Sequence, residues 1–110
     1  DGLLSLPVSP IIRAVREARR AGLDAAAISA MFHRTMIDLL CCAAAWAAGR
    51  YGLKDVVLGG GVFQNELLLV GVEQALKDAG LRVWRPVQVP AGDGAVALGQ
   101  AVIAAQVAAT

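Results

Sequence analysis

The stretch Lys54-Asp55-Val56-Val57-Leu58-Gly59-Gly60-Gly61-Val62-Phe63-Gln64-Asn65 decides the fold. Asp55-Val56-Val57-Leu58 is a short β-branched run without helical period, and it ends abruptly in three glycines, which predicts a buried strand entering a glycine turn. Beyond the turn, Gln64 or Asn65 opens a helix through Leu67, Leu68, Val72, Ala75 and Leu76, with Gly80 at its C-terminal cap. Leu81-Arg82-Val83-Trp84 reads as a second strand that Pro86 ends. Strand, helix, strand within about thirty residues is a βαβ unit with parallel strands. The glycine turn then sits at the carboxyl end of a strand.

Working outward, Ser9 before Pro10 reads as a helix N-cap. Ile11, Ile12, Val15 and Ala18 give the helical spacing, and Gly22 stops it. Arg13, Arg16, Glu17, Arg19 and Arg20 form a solvated face. Asp24 is the next N-cap, and Ile28, Phe32, Thr35, Leu39, Cys42 and Trp46 form one stripe along a long central helix ending near Gly49. On the other side, Val87-Gln88-Val89-Pro90 leads to the loop Ala91-Gly92-Asp93-Gly94. A helix from Ala95 to Ala108 follows with almost no charged face, so it must be buried or covered by a partner.

Composition narrows the function classes. With 110 residues, 57% hydrophobic and 17% charged, a single domain around a dense core is expected, and disorder is excluded. A net charge of +1 and 5% aromatics argue against a nucleic-acid partner, whether bound through phosphates or through base stacking. Gly94 to Thr110, read as the longest uncharged stretch, is too short for a membrane span, no leader is recognised, and no membrane association is expected. Adjacent Cys41 and Cys42 are poor disulfide partners and lack a local base, so inert packing thiols in a cytoplasmic protein are expected. The chain opens at Asp1 rather than Met, which suggests a piece of something longer.

The glycine turn carries the strongest chemical signal, because glycines between strand and helix let a ligand touch backbone and leave N–H groups for an anion, with a nucleotide the obvious guest. Such turns also serve only to reverse a chain. It is neither a Walker loop nor the dinucleotide fingerprint, since no Gly-Lys-Ser/Thr follows and Gln64 stands where the third glycine belongs. Asp93, between Gly92 and Gly94, either caps the helix after it or holds a cation facing a phosphate. His33 is the only histidine and reads as packing rather than catalysis.

Taken together, Leu58-Gly59-Gly60-Gly61-Val62-Phe63-Gln64-Asn65-Glu66-Leu67-Leu68, Arg82-Val83, and Val89 to Ala101 with its Ala91-Gly92-Asp93-Gly94-Ala95 core resemble the C-terminal end of HypF-type carbamoyltransferases, the hydrogenase maturation factors. Ile28-Ser29-Ala30-Met31-Phe32-His33 is similar to the family segment before the glycine turn. The resemblance implies an α/β fold, a small sheet with a βαβ unit and flanking helices, as one lobe of an actin-like ATPase fold. Residues 1–110 would be the C-terminal lobe of a carbamoyltransferase domain within a longer enzyme. The implied activity makes carbamoyl-adenylate from carbamoyl phosphate and ATP, then passes the carbamoyl group to the C-terminal cysteine of a HypE-type partner, where dehydration yields the cyanide ligands of the nickel–iron centre. By position, Gly59, Gly60 and Gly61 would approach the nucleotide through backbone, Asn65 would lie beside it, and Asp93 would hold a divalent metal, whether zinc, iron or magnesium.

The family pattern Asn-Asp-Gly-Gly is here Gly92-Asp93-Gly94-Ala95, which loses an amide and gains a methyl. The His-x-x-x-His ligands of the family belong to the first lobe, and its acylphosphatase-like, zinc-finger-like and adenylate-forming modules lie upstream. The chain alone is therefore expected to turn over little or nothing, and to self-associate through uncovered apolar surface. Two other readings stand beside this one: a non-catalytic nucleotide- or partner-binding module, and a sugar-kinase-like ATPase lobe.

Overall fold

Each turn signal of the sequence acts on the backbone in the computed structural model, which describes residues 2–87 and 93–110. The first helix, α1, spans Ser9–Arg20. Ser9 is its first helical residue and not its cap: Val8 holds that position without a side-chain bond. The Val8 carbonyl accepts from both Ile11 N and Ile12 N at 3.0 and 3.2 Å, and Pro10 has no N–H to satisfy. The charged residues of α1 are exposed, as expected.

Helix α2 spans Ala25–Tyr51, with the Asp24 carboxylate accepting from Ala27 N at 2.8 Å. It runs past Gly49 to Gly52, which adopts φ 66° and allows Leu53 N to bond Ala48 O at 3.0 Å, the left-handed C-terminal closure. The expected single stripe divides between two neighbours. Met36, Ile37, Leu40, Cys41 and Ala44 form the face packed on the core, whereas Ile28 and Phe32 face α1 across an apolar cleft shared with Ile12 and Val15. The cause lies in composition: α2 is apolar on nearly every side, so periodicity alone does not choose the inner face.

Strand β1 (Asp55–Val57) pairs in parallel with β2 (Arg82–Trp84), joined by α3 (Glu66–Asp78), which gives the predicted βαβ unit. Asp55 lies opposite Arg82, and Val57 opposite Trp84. Leu68, Val72 and Leu76 recur every four residues on α3 and are 4%, 1% and 1% exposed; with Leu58 they are the buried core. Val56 and Val83 close it from the sheet, and the α2 face closes it from the other side. Gly80, at φ 84°, ends α3, with Leu81 N bonding Leu76 O at 3.1 Å. Arg85, just past β2, reaches back to Glu73 of α3 at 3.2 Å. The fold class is thus mixed α/β, a two-stranded parallel sheet with flanking helices.

The dense core expected from composition is not what forms. Buried apolar residues gather only around α3, and the chain is elongated, with a radius of gyration of 17.4 Å against ~13 Å for a compact domain of 100 residues. The outer sheet face leaves Val57 75% and Trp84 58% exposed, although parallel sheets are ordinarily covered on both faces. Helix α4 (Val96–Ala108) is exposed along its length and has no buried residue. Of the two outcomes expected for it, burial against the described residues does not occur. Val87 is exposed, and residues 88–92, including most of the Asp93 loop, lie outside the described residues.

Helix α2 is long and apolar enough to cross a membrane by length and composition, a feature that reading Gly94 to Thr110 alone passed over. Its Arg34–Asp38 pair at 3.2 Å and its packed face on α3 account for it as the central helix of this fold. Cys41 is half-buried against the core and Cys42 is exposed; both are free thiols.

Two consequences can be measured. A Cβ added at Gly71 of α3 would collide with Ile37 Cδ1, so Gly71→Ala overpacks the α2–α3 contact, at a cost of about 1–3 kcal/mol offset by the ~1 kcal/mol that Ala gains over Gly in a helix. In an Ile37→Val background, which removes Cδ1, the same change is expected to turn neutral or stabilising in urea titrations. The second concerns pH. The Asp55 carboxyl is held below its ordinary range by the Trp84 indole N–H at 3.0 Å, and also by Arg82 at 2.8 Å. A depressed folded pKa contributes stability that is present above the unfolded value of about 4 and is lost as pH falls through the folded one. Asp55→Asn is expected to lower the melting temperature at pH 7, with wild type and variant converging in strong acid.

Candidate nucleotide site

The turn after β1 is built by the backbone. Leu58 N donates to Trp84 O at 2.8 Å, which fixes the strand end, and Leu58 itself is buried. Gly59 follows, then Gly60 at φ 103° and ψ 160°, a conformation open in practice only to glycine. Gly61 begins a short 3₁₀ turn, Gly61–Gln64, closed by Phe63 N to Gly60 O at 3.2 Å. Phe63 folds inward against the core and anchors this turn.

A short 3₁₀ turn stands between the glycines and α3. Of the two capping candidates, Asn65 is the cap, its Oδ1 accepting from Leu68 N at 3.2 Å. That bond satisfies one of the helix's free amides, so contact with a ligand falls chiefly to the glycine backbone. A Cβ placed at Gly59, Gly60 or Gly61 would meet nothing within 4 Å. Contacts among the described residues therefore do not require glycine at these positions, and only the Gly60 conformation does.

His33 joins this segment from α2. Its Nε2 lies 2.8 Å from Asn65 Nδ2, and its Nδ1 lies 2.8 Å from Ser29 O, one helical turn back. A cleft of about 490 Å³ opens beside it, bordered by Ser29, Ile37 and Leu67. The packing role assigned to His33 on sequence thus becomes a polar contact with a candidate site residue. What the sequence lacked was the placement of α2 beside α3. A larger cleft, of about 700 Å³ between α1 and α2, is mostly apolar; it shares Ser29 with this one and is lined neither by His33 nor by the glycine turn.

Gly59, Gly60, Gly61, Asn65 and His33 are brought together. Asp93 stands on another segment, at the start of a 3₁₀ turn, Asp93–Ala95, and its side chain lies outside the described residues. The N-cap position of α4 is held by Ala95, with no side-chain bond, and not by Asp93. Among the described residues no group of three or more His, Cys, Asp or Glu gathers to hold a metal ion.

Known proteins share this arrangement. The family described as the carbamoyltransferase Kae1-like domain, second subdomain, matches residues 2–100. Carbamoyltransferase HypF of Rhizobium leguminosarum bv. viciae is 40% identical over 97 residues, covering 88% of this chain and 12% of that protein. A carbamoyltransferase HypF homolog of Cupriavidus necator is 40% identical over 107 residues, covering 96% of this chain and 27% of that protein. The crystal structure of full-length HypF in its phosphate- and nucleotide-bound form matches with a TM-score of 0.85 at 36% identity, over 90% of this chain and 13% of that one. The chain thus spans between about an eighth and about a quarter of the length of these relatives. With the family match running from residue 2 to residue 100 and the fold agreeing over nine-tenths of the chain, this chain belongs to the second subdomain family of the Kae1-like carbamoyltransferase domain.

Proposed function

We propose that this chain is the C-terminal lobe of a HypF-type carbamoyltransferase and supplies one wall of its nucleotide site. The observation that carries this is the glycine turn: Gly60 in a glycine-only conformation, with open space above Gly59, Gly60 and Gly61 at the carboxyl end of a parallel strand. The solved HypF structure is of a phosphate- and nucleotide-bound form, which supports the choice of guest. In this reading the glycine backbone meets ATP and then the carbamoyl-adenylate formed from carbamoyl phosphate. Close backbone approach holds the nucleotide's phosphate in place while the carbamoyl group leaves for the C-terminal cysteine of a HypE-type partner.

Among the described residues no three donors gather to hold a metal ion. A divalent cation of the complete enzyme, whether zinc, iron or magnesium, would take Asp93 from this lobe. Nor does the chain enclose a ligand. The uncovered outer face of the sheet and the exposed, nearly uncharged α4 are the surfaces we assign to the remaining lobe of the same enzyme, in a cytoplasmic protein. Freed of that lobe, the same surfaces would drive self-association, and concentration-dependent sedimentation of the chain in analytical ultracentrifugation is expected. A strict monomer at high concentration would remove the idea.

The functional test uses the complete enzyme. Gly60→Val forces a β-branched side chain into a glycine-only conformation and into the open space above the turn. It is expected to weaken ATP binding about tenfold or more, some 1.4 kcal/mol, and to depress carbamoyl transfer with it. The chain by itself should show no transfer. Unchanged ATP affinity in Gly60→Val would sink the nucleotide assignment, and phosphoryl rather than carbamoyl transfer would favour a sugar-kinase-like ATPase.

A further inference from the structure

The contact between His33 and Asn65 joins residues 32 positions apart, and its hydrogens follow from the neighbours at shortest distance, the Ser29 hydroxyl lying farther from Nδ1 at 3.4 Å. Ser29 O only accepts, so the His33 Nδ1 at 2.8 Å from it carries a proton. Leu68 N only donates, so the Asn65 atom it meets at 3.2 Å is Oδ1, and the amide nitrogen is the atom that faces His33. That nitrogen only donates, so Nε2, 2.8 Å away, presents its lone pair. These contacts match the Nδ1–H tautomer, in which one polarised chain runs from the Asn65 amide through the imidazole to a carbonyl of α2.

This chain is exposed, where water competes for every bond, so its effect on stability is small. Its effect on geometry is not. Asn65 Oδ1 is committed to the cap and one Nδ2 hydrogen to His33, which leaves the second Nδ2 hydrogen without a partner among the described residues and fixed in direction. Asn65 stands directly after the 3₁₀ turn that the glycines begin, with its own N–H bonded to Val62 O at 3.2 Å.

We infer that His33 is a positioning residue for the nucleotide site: it clamps the Asn65 amide so that the free N–H is held ready for a phosphate oxygen of the ligand lying on the glycine turn. The inference rests on the nucleotide reading above. A neutral imidazole suits the task because it accepts at Nε2 while anchored through Nδ1. An imidazolium would set N–H against N–H and turn the amide away.

Two measurements test this. The chain has one histidine, so a long-range proton–nitrogen correlation spectrum of the full chain reads His33 alone. The expected result is a protonated Nδ1 and a bare Nε2, with Asn65→Ala shifting the Nε2 signal; a protonated Nε2 in the wild type overturns the clamp. In the complete enzyme, His33→Phe keeps a ring and removes the acceptor, and it is expected to weaken ATP binding about tenfold, while His33→Gln, whose side-chain oxygen accepts from Asn65, recovers most of the loss. A purely structural role predicts no such rescue, and equal ATP affinity in wild type and His33→Phe overturns the positioning role. Failure of the nucleotide reading itself shows separately, as ATP binding indifferent to Gly60→Val; it would overturn the ligand assigned to Asn65, whereas a bare Nε2 would still uphold the clamp.

Discussion

The seating of α3 between α2 and the sheet is the constraint on which the rest depends. Leu68, Val72 and Leu76 face inward on one line of the helix, and each fully buried aliphatic side chain contributes about 1.5–3 kcal/mol of transfer free energy. That line also sets distances. Gly71 lets α2 approach until Ile37 occupies the space a methyl group would take, and the same approach brings His33 within hydrogen-bond reach of Asn65. Leu58 joins the core just before the glycines, so the turn is held at one end by packing and at the other by the Asn65 cap.

Between these anchors the turn is backbone only. Among the described residues no atom lies within 4 Å of a Cβ built at Gly59, Gly60 or Gly61. The wider architecture agrees with an incomplete cleft. One face of the sheet packs on α3, the other leaves Val57 and Trp84 exposed, and α4 carries apolar residues on all sides and buries none. On the outer face Asp55 binds Arg82 and the indole of Trp84, holding the two short strands in register with polar contacts where a core is absent.

Much of this was legible in the residues. The β-branched run, the glycines, the amphipathic segment and the second strand gave the βαβ unit, and Asp24 and Asn65 cap their helices where their residue types suggest. Other readings were revised by structure. Ser9 lost its capping role because the Val8 carbonyl already receives two backbone amides. The α2 stripe was divided because an almost wholly apolar helix has no unique inner face. Composition predicted a dense core, whereas burial concentrated at α3, since apolar content measures what can be buried and not what lies opposite to bury it.

The sequence by itself determined the elements, their order and the caps at Asp24, Asn65 and Gly80, because caps, glycine conformations and strand propensity act between residues no more than a few positions apart. Only the tertiary structure decided which face of α2 is inner, why Gly71 has no side chain, and that the single histidine holds the amide of Asn65. Those depend on the placement of helices across tens of residues of chain, where distance along the sequence carries no information about distance in space.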